Sequence, residues 1–172
     1  VVAAVAACSG GGSSTTGSLG TAGAFLVLQT DPSANGRLYL NDPIQIDFNH
    51  PVNLDSANLN TVSFQVFDQL GNVLSEQVAG DFALARSPGD ATTGRRLQFV
   101  PRFPTNNTFD NGGFRPGRSY LVQLVGGERL NGTALRDTGG KALAQPISVQ
   151  FSTAEGTAPS QLFRNSAAGG PA

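Results

Sequence analysis

The chain has 172 residues, with 11 Lys+Arg against 12 Asp+Glu, a net charge of -1 and only 13% charged residues. That length suits one domain of ordinary size, and so neutral a chain has little with which to neutralise phosphates, which argues against nucleic acid as a partner and against a polybasic membrane-surface mode. One Cys, one His and no Trp leave too few side chains for a zinc cluster or most nucleophilic constellations.

Residues 1–7, Val-Val-Ala-Ala-Val-Ala-Ala, are uncharged and apolar, and Cys8 follows them directly. Seven residues cannot span a bilayer, which takes about 20. The run fits the end of a signal peptide, with small residues at the cleavage site. Val5-Ala6-Ala7-Cys8 resembles the lipobox of bacterial lipoproteins. The resemblance implies cleavage before Cys8, lipidation of Cys8 and a membrane held through that lipid. With Ser9 where Asp would retain the protein at an inner membrane, the resemblance implies the outer membrane or cell surface in a cell with two membranes. Several acyl chains give a stable anchor, at about 0.8 kcal/mol per buried CH₂. The alternative is a Cys8 buried as a small hydrophobe, and its place before a Gly/Ser tract argues against that. Residues 8–24 read as the lipidated Cys and a flexible linker, because Gly, Ser and Thr bury too little apolar surface to fold. With no Met anywhere, the sequence is expected to be a piece of a longer protein.

From Phe25 the apolar period is two, the mark of strands with one wet face. Phe25–Leu28 and Arg37–Leu40 are short segments. Ile44, Ile46 and Phe48 alternate with polar residues, as do Val62, Phe64 and Val66. Gly71-Asn72 marks a hairpin, from which Val73–Val78 returns. Phe82 with Leu84, Leu97 with Phe99, Tyr120 with Val122 and Leu124, and Ile147 with Val149 and Phe151 complete the set. A single helical turn is expected over 56–60. Short strands punctuated by Gly, Pro, Asn and Asp predict an antiparallel β-sandwich of about seven to nine strands over 25–154. Residues 155–172 read as a disordered linker toward further chain.

Four pieces in order resemble the bacterial Ig-like domain of the S-layer (SbsA) type: Asp42–Val52, with Phe48 and Pro51; Leu97–Pro101; Arg115–Leu124; and Leu135–Leu143 followed by Val149–Thr153. The resemblance covers residues 31 to 153 and implies an Ig-like sandwich. Gly140, where the family often has Asn, and a long 102–118 connection depart from it. Independently, Tyr120 follows a Pro-Gly turn at a strand start, the placement of a tyrosine corner, and a plain core aromatic fits equally.

Chemistry is sparse. His50 sits at a strand end with no Gly-x-Ser-x-Gly elbow, so no catalytic residue is assigned and no enzyme is expected. No cofactor is expected and no metal site is assigned; Asp110 and Asp137 are weak calcium candidates in turns. The 86–95 and 102–118 loops are long and polar. Such loops are variable insertions or binding surfaces. As a binding surface they would offer Phe103, Phe109 and Phe114 to a ligand. The leading expectation is a non-enzymatic spacer or interaction module of the envelope. The alternatives are an adhesin-type module that uses those loops on a glycan or protein, and a domain that positions a downstream enzyme.

Overall fold

The computed structural model describes residues 23–85, 94–127 and 132–164. The 1–7 run, Cys8, most of the linker and residues 86–93 of the first long loop lie outside the described residues. Nine strands are described: β1 (Val27–Asp31), β2 (Gly36–Leu38), β3 (Ile44–Phe48), β4 (Val62–Phe67), β5 (Val73–Leu74), β6 (Gly80–Ala85), β7 (Arg96–Pro101), β8 (Ser119–Leu124) and β9 (Ile147–Thr153). They form two sheets, β1-β3-β7-β6 and β2-β9-β8-β4-β5, packed as a β-sandwich. Most alternating strands put their apolar members inside, although Leu84 of β6 is exposed. Ile44, Ile46 and Phe48 are at most 4% exposed while Gln45 and Asp47 between them reach solvent. Ile44 and Ile46 meet Val122, Leu124 and Phe151 of the other sheet across a small interior gap.

The hairpin at Gly71-Asn72 forms, with Val66 opposite Leu74. Its return is shorter than predicted, because only Val73 and Leu74 pair. Glu76 beyond them turns instead to two arginines. The helical turn lies at Leu54–Ser56, ahead of its predicted place. There Asn53 caps it, its side-chain oxygen accepting the Asp55 N–H at 3.1 Å. One pairing departs from an all-antiparallel sandwich: β2 runs parallel to β9. After β1 the chain crosses to the second sheet through 32–35 and keeps its direction, which is also that of β9.

The registers fix where the chain enters and leaves. Val27 lies opposite Phe48 and Asp31 opposite Gln45, so the chain enters at the Phe48 end of β3. After β9 it continues past the other end, where the Leu40 N–H donates to the Leu162 carbonyl. These two ends are called here the His50 end and the Tyr120 end.

The expectation of a disordered tail from 155 is corrected for residues 155–164. Pro159–Leu162 form one helical turn, α1, and Leu162 is fully buried. A buried Leu side chain contributes about 1.5–3 kcal/mol, enough to hold a short segment against the sandwich.

Candidate functional site

At the His50 end, Pro51 carries the chain out of β3 and toward the Asp137 turn. The Thr138 N–H donates to the Pro51 carbonyl at 2.9 Å, and Val52 bridges Asp137. Asp137 is 4% exposed. Its Oδ1 accepts the Lys141 N–H at 2.8 Å, and its Oδ2 lies 3.0 Å from His50 Nδ1. The His50 ring lies near-parallel to Phe25, which stacks on Phe48 at 4.9 Å. His50 thus sits between a buried carboxylate and the Phe25 ring. Burial pushes the Asp137 carboxyl up, but the Lys141 N–H and His50 hold it below its usual 3.8. A depressed carboxyl stabilises the fold fully above its unfolded value, and that contribution is lost as pH falls through the lower folded value. Asp137→Ala should therefore cost about 1–3 kcal/mol at neutral pH, since it strips partners from Lys141 N–H and His50. It should also flatten the acid limb of stability below about pH 4. Urea melts across pH check both; an acid limb identical to that of the wild type would refute the assignment.

At the Tyr120 end, the 102–118 loop folds over the sandwich. Gly113 makes this possible: a Cβ there would collide with the Ala79 carbonyl and the Arg102 amide. Its N–H donates to the Arg102 carbonyl at 2.7 Å. The next residue, Phe114, is then driven into the core, with 0% exposure, among Phe99, Tyr120 and Phe151. This corrects the expectation of Phe114 as a surface platform. The Tyr120 hydroxyl accepts the Arg115 N–H at 2.8 Å, and burial pushes its phenol up to about 12. Thr153 Oγ1 donates to the Arg115 carbonyl at 2.7 Å and accepts the Arg118 N–H at 3.0 Å. Glu76 pairs with the guanidinium groups of Arg115 and Arg118, each at 3.1 Å. The Pro116-Gly117 turn is thereby clamped from three sides.

Phe103 and Phe109 remain at the surface, Phe103 47% exposed and Phe109 half-buried. They do not stand free. Phe163 stacks on Phe103 at 4.8 Å and meets Phe109 edge-on at 5.4 Å. Its neighbour Arg164 chelates the Asp42 carboxylate at 2.8 and 3.0 Å, and its guanidinium lies 5.2 Å from the centre of the Tyr39 ring. A groove of about 430 Å³ runs beside this segment, lined by Arg37, Tyr39, Glu155 and Gln161 among others. Three loop aromatics were legible in the sequence, but Phe163, Arg164 and Tyr39 were not assigned to the site. Only the fold brings the last ten described residues back to Tyr39.

No protein-family profile and no curated protein matches the sequence. Among solved structures, the chain is similar to CopC from Methylosinus trichosporium OB3b, at 14% identity over 75% of this chain and 92% of that one, with a TM-score of 0.36. It is similar to the N-terminal part of the bacterial S-layer protein SbsC, at 16% identity over 76% of this chain, with a TM-score of 0.40. This chain spans 23% of that one. It is also similar to PcoC, a methionine-rich copper resistance protein from Escherichia coli, at 12% identity over 76% of this chain and 98% of that one, with a TM-score of 0.41.

The two calcium candidates are occupied within the fold. Asp137 serves Lys141 and His50, as above. Asp110 accepts from the Asn106 amide, and Asn111 Oδ1 accepts the Thr105 N–H at 2.9 Å, so these side chains shape their own loop. Among the described residues no three His, Cys, Asp or Glu side chains come close enough to hold a metal ion.

Proposed function

We propose that this chain is a non-enzymatic module of the bacterial envelope, a spacer tethered to a membrane through lipid on Cys8. The observation that carries the proposal is where the described residues enter and leave the sandwich. The chain enters at the His50 end and leaves at the Tyr120 end, so the sandwich adds its full length to any chain it interrupts. Four pairs of acid and base side chains support the same view. His50–Asp137, Asp47–Arg96, Glu76–Arg118 and Asp42–Arg164 each tie one segment of the fold to another. A copper role is not proposed: with no Met, one Cys and one His, the chain is poor in the soft donors that copper favours.

A second function, binding of an envelope glycan or protein, is favoured by one observation, the partly exposed Phe103–Phe109–Phe163 cluster. Two preparations test the two readings. Protein purified from the membrane fraction of its source cells should have lost residues 1–7 and gained diacylglycerol and acyl mass. An unmodified Cys8 would remove the tether. Unlipidated chain carrying Cys8→Ser, with and without Phe103→Ala, is then incubated with isolated envelope. Equal retention of the two favours the spacer, and loss of retention with Phe103→Ala favours binding through the aromatic face.

A further inference from the structure

Residues 159–164 lie on the sandwich as a bound peptide does. Leu162 fills an apolar pocket and is fully buried. Its carbonyl accepts the Leu40 N–H at 2.9 Å. Phe163 lies against Phe103 and Phe109. The Asn41 side chain reads the Arg164 backbone twice, donating to its carbonyl at 3.0 Å and accepting its N–H at 2.9 Å. Asp42 takes the Arg164 guanidinium in a two-pronged pair. Each of three successive side chains therefore meets its own complement: a pocket, an aromatic wall, an acid. Such a set is what a peptide-recognition groove provides.

The fold-back that delivers this segment depends on one glycine. Gly156 has φ +136°, and a Cβ there would collide with the Gln161 side chain. That side chain is needed in place, because its Oε1 accepts the Thr157 and Ala158 N–H groups at 3.3 and 3.2 Å. The groove and the turn that fills it are thus separable parts. The groove belongs to the sandwich and the 102–118 loop, and the turn belongs to 155–158.

We propose that the surface under residues 162–164 is a docking groove for a Leu-Phe-Arg segment, that the chain keeps it filled with its own copy, and that the same segment of a second copy is its intermolecular occupant. A short tether supplies the intramolecular copy at an effective millimolar concentration, so the groove stays closed to outsiders while the Gly156 turn is intact. Breaking the turn turns the same contacts into an exchange between two copies, a closed reciprocal dimer.

The test uses the full chain. A fluorescent peptide of residues 155–164 is titrated into Leu162→Asp, whose own segment cannot seat, and into the wild type. We expect saturable binding to the variant and binding about a hundredfold weaker to the wild type. A charge exchange guards against a variant that is merely misfolded. A peptide carrying Arg164→Glu should fail on Leu162→Asp and bind again when that chain also carries Asp42→Arg. Gly156→Val, with the groove untouched, should dimerise in light scattering as concentration rises. Absence of peptide binding, or binding indifferent to the charge exchange, would overturn the groove. A Gly156→Val chain that stays monomeric at its solubility limit would overturn the second copy as occupant.

Discussion

Phe114→Ala is expected to destabilise the protein by about 3–5 kcal/mol, the range for emptying a buried aromatic site. For a domain of this size that is a fall of roughly 10–20 °C in Tm. The reason is the position of the ring. Phe114 has no exposed surface and touches rings from both sheets: Phe99 of β7, and Tyr120 and Phe151 of β8 and β9. The site cannot collapse, because Gly113 pins the loop to Arg102 just before it. Phe103→Ala is the matched control. It removes a ring that is 47% exposed and, among the described residues, stacked on Phe163 alone, so about 1 kcal/mol or less is expected. Calorimetry of the two variants separates a core aromatic from a surface one, and equal losses would contradict the placement.

That pair of residues shows what the sequence could and could not say. Phe103, Phe109 and Phe114 look alike on paper, three aromatics in one Gly- and Asn-rich loop. Which of them is core depends on Gly113 passing close to the Ala79 carbonyl, a contact between residues 34 apart. Strands were legible because alternation is local: Ile44, Ile46 and Phe48 announce their buried face within five residues. The Gly71-Asn72 hairpin is local too. Pairings across the chain were not. His50 and Asp137 are separated by 87 positions, and nothing near either one marks the other. The 155–164 segment was misjudged for a related reason. One helical turn is too short to show a 3.6-residue stripe, and its burial rests on a single leucine and on Leu40, Asn41 and Asp42 more than 100 positions away. The parallel pairing of β2 with β9 was hidden likewise, since direction in a sheet is set by the crossover and leaves no mark on the strand itself.

Tyr120 makes the fold sensitive to alkali in a way that one substitution should remove. Burial pushes its phenol from 10.0 up to about 12, because the ionised form would sit in the core beside Phe114 and Phe151. A raised value means that the neutral phenol is favoured by folding. The stabilisation is complete below pH 10, where the phenol is neutral in both states. It is lost as pH rises from 10 toward 12, where the unfolded chain ionises and the folded one resists. Two pKa units correspond to about 2–3 kcal/mol. Tyr120→Phe removes this titration. It also leaves the Arg115 N–H without its acceptor, at a cost of about 1–3 kcal/mol when that donor stays buried. The two stability curves should therefore converge: the variant is weaker at neutral pH, and its disadvantage shrinks toward pH 12. Urea melts at a series of alkaline pH values, with Tyr39→Phe as the control for the other tyrosine, provide the measurement. Parallel curves for wild type and Tyr120→Phe would mean that the hydroxyl is not the buried, neutral group that clamps the Pro116-Gly117 turn.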